Sequence, residues 1–120
     1  MTEPDDGPVF HIVAADEWAA AGDPYEHPSL ASEGFIHFSS AAQAGPTTDR
    51  YYSAITGLVL LEVDQAALPQ PMQWDPAPVT SPVAGQLFPH LYTGLPKAAV
   101  EAVHPWEPAD QASWRARYPE

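Results

Sequence analysis

The chain contains no cysteine, only four lysines and arginines together, and no apolar run approaching the roughly 20 residues that span a bilayer. The first absence excludes disulfides, thiolate nucleophiles and cysteine-based zinc sites, and leaves a fold that does not depend on redox compartment. The second sets sixteen acidic residues against Arg50, Lys97, Arg115 and Arg117, scattered along a chain of formal charge -12. Polyanions are held by clustered Lys and Arg that displace counterions, so neither nucleic acid nor an anionic membrane is an expected partner. A small anion held by a single arginine stays open. The opening MTEPDDGP is acidic, whereas a secretory leader is basic and then apolar, and a cytoplasmic protein is expected.

What is present suits one domain. The 120 residues are 45% hydrophobic, enough for one core, and fifteen prolines, concentrated after Pro69, favour short strands and ordered loops in the second half. Residues 1–8 read as a flexible lead-in, 9–104 as an α+β domain, and 105–120 as an extension with a short helix. VFHIVA, from Val9 to Ala14, is the first strand. Asp16 is placed to cap a short helix ending at Gly22, and Ser29 to cap a turn closed by Glu33.

EGFIHFSS, from Glu33 to Ser40, is the stretch on which the site reading rests. Alternation in a strand puts Phe35, His37 and Ser39 on one face and Ile36, Phe38 and Ser40 on the other. Ser40 then caps a helical piece that Gly45-Pro46 is expected to interrupt, with a second piece starting at Thr47 or Thr48. LVLLEV, from Leu58 to Val63, reads as a central strand covered on both faces. Met72 to Asp75 reads as a short strand, the following PAPVTSPVAGQ as a mobile loop, and LFPHLY as an edge strand or ordered loop because of Pro89. A last strand reaches His104, and the final helix packs Trp114.

His11, His37 and His90 each interrupt apolar strand-like sequence. Singly, each fits a core histidine bonded to a carbonyl; jointly, a shared pocket accounts for all three. His27 and His104 lie beside prolines and read as solvated. A metal centre using these histidines with Glu33 lacks any compact ligand spacing. Arg50 has two readings, a solvated helix residue or the cation that meets a phosphate.

FHI, SLASEGFIHFS, Gln43, Arg50-Tyr51-Tyr52, LVLLEVD, FPHLYTGLP and AAV together resemble a bacterial family catalogued as domain of unknown function 952, over Val9 to Val103. The His-containing first strand, the His-x-Ser second strand and LVLLEVD also resemble, more distantly, the RNA 2'-phosphotransferase branch of the ADP-ribosyltransferase superfamily. That likeness implies a split fold of two small, mostly antiparallel sheets clasping NAD. By position it implies that His11 holds the nicotinamide-side ribose or its amide, that His37 and Ser39 line the dinucleotide, that His90 stands at the third catalytic position, and that Tyr92 stacks on a ring. Arg50 would neutralise part of the diphosphate. The chain departs from the superfamily in carrying Ile12 where a small residue often follows the histidine, in lacking a clear catalytic glutamate, and in lacking most of the RNA-directed branch's arginines. The expectation is NAD-using transfer to a small-molecule or protein acceptor; the alternatives are a non-catalytic nucleotide-binding module and a histidine-based metal-dependent hydrolase or lyase.

Overall fold

The computed structural model describes residue 4 and residues 6–119. Of the expected lead-in, Met1, Thr2, Glu3 and Asp5 lie outside the described residues. Among the described residues, two three-stranded antiparallel sheets and four α-helices form one α+β domain. No described helix is long and apolar enough to cross a membrane.

The first sheet has strand order β1-β3-β6, from β1 (Val9–Ala14), β3 (Leu58–Val63) and β6 (Val100–Pro105). LVLLEV lies at its centre, with both faces covered as its continuous hydrophobicity predicts: Leu61 and Val63 join one core cluster, Leu58 and Leu60 the other. Complete burial of such side chains contributes about 1.5–3 kcal/mol each. One cluster lies between the sheets and joins Val9, Val13 and Leu61 to Ile36, Phe38 and Leu91. The other lies under α3 (Ala41–Tyr51) and α4 (Pro108–Arg117), where Phe10, Ile12 and Leu60 meet Ala44, Trp106 and Trp114. The C-terminal helix, expected as an extension, therefore contributes to the core.

The second sheet has order β2-β5-β4, from β2 (Ile36–His37), β5 (Leu87–Leu91) and β4 (Gln73–Pro76). Here LFPHL is central, against the expectation that Pro89 confines it to an edge. The Pro89 carbonyl accepts from Phe38 N at 2.9 Å, so the proline's missing donor faces the same neighbour, just where the two-residue pairing of β2 stops. No long ladder exists on that side to be interrupted.

Three local expectations are also corrected. α3 runs unbroken through Pro46. α4 packs along it, with Trp114 Nε1 donating to Ala41 O and Arg115 Nη2 to Gly45 O, at 2.8 and 2.7 Å. Gly45 permits this approach, since a Cβ there would stand 3.0 Å from the Arg115 side chain. α1 (Ala15–Ala20) begins after Ala14 with no side-chain cap, leaving Asp16 in the first turn, where a carboxylate favours the helix dipole. α2 (Pro28–Ser32) is capped by His27, whose ring accepts from Ser29 N, and Glu33 stands at its other end.

Candidate functional site

Residues 34–40 perform a sequence of local tasks that places the site. Gly34 turns the chain with φ +92°, in the left-handed region that favours glycine. Ile36 and His37 pair with Leu91 and His90 in the second sheet. Two residues later Ser39 exchanges backbone hydrogen bonds with Phe10 of the first sheet, at 2.8 and 2.7 Å. Ser40 then caps α3 in a capping box with Gln43. One short segment thus staples both sheets and starts the helix beside them. The space left there is a cavity of about 770 Å³, within the usual range of small-molecule sites. His11, His37, Ser39, Arg50, His90 and Tyr92 all line it, brought from four separate stretches of sequence.

His90 lies directly across the sheet from His37, with ring centroids 5.2 Å apart and nearly perpendicular. Phe35 stacks on His90 at 4.0 Å and 18°. His90 Nδ1 is 2.7 Å from Asp75 Oδ2, which also accepts from the Tyr92 hydroxyl at 2.6 Å. An ionised carboxylate only accepts, so the His90 proton sits on Nδ1. Nε2 then carries the lone pair, bonds to nothing among the described residues, and is not shut away from solvent. Burial lowers the His90 pKa and Asp75 opposes that; the net displacement is downward, which keeps the ring neutral at neutral pH. Desolvation pushes the Asp75 carboxyl up, but hydrogen bonds from Tyr92, His90 and Gln73 outweigh it and hold it below its ordinary value. His37 is more open, and its Nε2 meets Glu33 Oε2 at 3.0 Å on the surface.

His11 forms part of the back wall. It is 3% exposed, a core histidine and a cavity residue at once. Nδ1 donates to the His37 carbonyl at 2.6 Å, and Nε2 is 3.0 Å from the Tyr25 hydroxyl, itself 3.2 Å from Glu17 Oε2. Burial pushes its pKa down to about 4, so the ring is neutral. His27, expected to be solvated, is instead half-buried against the cavity, its ring 5.4 Å from that of His11. The His-Pro-Ser sequence before α2 carried the signal, since the imidazole replaces the usual small polar cap. His104 stands elsewhere, 2.8 Å from Glu62 and against Trp114, beside a smaller cleft of about 160 Å³.

Arg50 supplies the cavity's cation. Its Nη2 is 3.3 Å from Thr47 Oγ1, which lies 3.5 Å from Ser39 Oγ. Its Nε is buried with no hydrogen-bond partner. Among the described residues it makes no ion pair, although acidic groups outnumber basic ones fourfold along the chain. An orphaned guanidinium N–H beside two hydroxyls suits an anion such as a phosphate. Phe88 and Tyr51 each lie 5.8 Å from the guanidinium carbon. No group of three or more His, Asp or Glu among the described residues is disposed to hold a metal ion. Sequence reasoning missed Asp75, Tyr25 and Thr47, none of which stands out from its neighbours until the fold gives it a partner.

The family model described as "Protein of unknown function (DUF952)" matches residues 12–103. Among solved structures, the crystal structure of protein CC0527 from Caulobacter crescentus is similar at 27% identity and a TM-score of 0.70, covering 88% of this chain and 98% of that one. The solution structure of CC0527 is similar at 29% identity and a TM-score of 0.66, covering 80% and 81% respectively. No curated protein matches this chain.

Proposed function

We propose, from the premise that this chain belongs to the DUF952 family of proteins of unknown function, that its cleft binds NAD and transfers the ADP-ribosyl group to a small-molecule or protein acceptor. The observation that carries this reading is the convergence of His11, His37, Ser39, Arg50, His90 and Tyr92 on one cavity between two sheets. The finer view of the fold, a split sheet of the ADP-ribosyltransferase type, belongs to the same proposal and is supported by two three-stranded antiparallel sheets stapled at Phe10 and Ser39.

The residues present fit such a ligand. Arg50, with Thr47 and Ser39 beside it, receives a diphosphate oxygen on an N–H that otherwise has no partner. Phe35, His90 and Tyr92 offer aromatic faces for a planar ring, with Tyr92 5.2 Å from Phe35. His37, on the same wall with its ring 5.2 Å from that of His90, reaches ribose hydroxyls beside them. NAD supplies a glycosidic bond whose cleavage develops an oxocarbenium-like ribose. The chain's part is to orient that ribose, exclude water with the apolar wall and keep the uncharged imidazoles of His11 and His90 near the developing cation.

Thermal-shift measurements with NAD and with ADP-ribose test this, because a ligand at 100 times its Kd adds about 2.7 kcal/mol to stability. Both ligands are expected to stabilise the wild type, and Arg50→Ala is expected to lose most of that stabilisation. Absence of stabilisation by either ligand in the wild type would overturn the proposal. A second reading, a non-catalytic nucleotide-binding module, is favoured by His11, whose two ring nitrogens are both engaged within the protein. NAD binding without release of nicotinamide under any acceptor would select it.

A further inference from the structure

We propose that Asp75 and His90 form a general-base dyad in this cleft, and that the acceptor it serves is a hydroxyl group; the inference rests on the NAD reading above and names its acceptor chemistry. Three observations converge. The Nδ1–H of His90 is committed to Asp75 at 2.7 Å, which fixes the tautomer and leaves the Nε2 lone pair free. Phe35, stacked at 4.0 Å, fixes the ring plane. The same Asp75 oxygen is held from the other side by Tyr92 at 2.6 Å, so the carboxylate is locked at the angle the imidazole needs. A base oriented by a carboxylate that is itself oriented is the general pattern of activated acid-base sites.

The acceptor class follows from what this base can do. A carboxylate acceptor arrives already deprotonated, needs no base, and would be repelled by Asp75. A guanidinium or alkylammonium holds its proton far too tightly for a neutral imidazole. A hydroxyl fits: it is a neutral donor to Nε2, and its oxygen gains nucleophilicity as the proton leaves. In the step, the acceptor O–H bond breaks and the proton passes to His90 Nε2. A C–O bond forms at the anomeric carbon of the ribose. The C–N bond to nicotinamide breaks, and its electron pair neutralises the pyridinium nitrogen. The groups facing His90 are Asp75 from β4, Tyr92 following β5, His37 from β2 and Glu33 at the end of α2.

Methanol serves as the probe acceptor and water as its competitor, with the methyl glycoside and free ADP-ribose separated by chromatography. Asp75→Asn is expected to slow nicotinamide release about 100-fold with KM for NAD little changed, and His90→Gln to slow it at least as much, in the range general bases contribute. His104→Gln, on the far side of the first sheet, is expected to leave the rate alone. An independent readout is the NMR titration of His90, whose pKa is expected to fall further in Asp75→Asn. Wild-type turnover in both dyad variants with NAD still bound, or an unmoved His90 titration in Asp75→Asn, would overturn the dyad while leaving the NAD reading intact. Failure of the wild type to bind NAD would overturn both.

Discussion

Replacing His11 by Asn should remove a defined part of the protein's pH dependence. Asn retains an N–H where Nδ1 donates to the His37 carbonyl, but it does not titrate. In the native state burial holds the His11 pKa at about 4, against an ordinary 6.5 once the chain unfolds. As pH falls below 6.5 the unfolded chain takes up a proton that the folded one refuses, so the folded state loses stability until its own pKa is reached. The stability is fully present above pH 6.5 and lost as pH falls toward 4. Over the interval from 6.5 to about 4, at roughly 1.36 kcal/mol per pH unit, the loss is about 3 kcal/mol. His27 and His90 are also lowered, principally by burial, but both remain in the variant and cancel from the comparison. The assay is urea unfolding of both proteins across that interval. The difference in unfolding free energy between wild type and His11→Asn should shrink by about 3 kcal/mol between its upper and lower ends. A difference that stays constant with pH would refute the claim that His11 is held neutral by burial.

Thr48→Val should lower the melting temperature by several degrees, because Thr48 Oγ1 accepts the buried Trp106 indole N–H at 2.8 Å, and an orphaned donor costs about 1–3 kcal/mol; calorimetry decides it. Gly34→Ala meets no atom within 4 Å, so its cost, about 1–2 kcal/mol from the left-handed backbone, should appear in chemical denaturation as pure strain. Tyr92→Phe removes one of the hydrogen bonds that hold the Asp75 carboxyl down, and carbon-detected NMR should show that carboxyl titrating at a higher pH than in the wild type.

Elements that depend on local chemistry were readable from sequence. LVLLEV could only be covered on both faces, Ser40 had the cap it needed, and Trp114 gave the last helix its buried face. Elements decided by distant partners were not. Pro89 argued for an edge because the sequence does not reveal that β2 pairs over only two residues. Gly45-Pro46 argued for a break because nothing local shows Trp114 and Arg115 reaching across to the helix carbonyls. The histidines of the candidate site were visible as polar residues in apolar strands, whereas Asp75 was an unremarkable residue in QWDP until register set Trp74 against Pro89 and its side chain against His90.

The most direct test of the site is chemical-shift mapping of the backbone amides as ADP-ribose is added. The account predicts perturbations concentrated at Phe35, His37, Ser39, Arg50, His90 and Tyr92, with none beyond background at Trp106 or Trp114 beside the smaller cleft. Shifts centred on that other cleft, or a spectrum unchanged at saturating ligand, would contradict it.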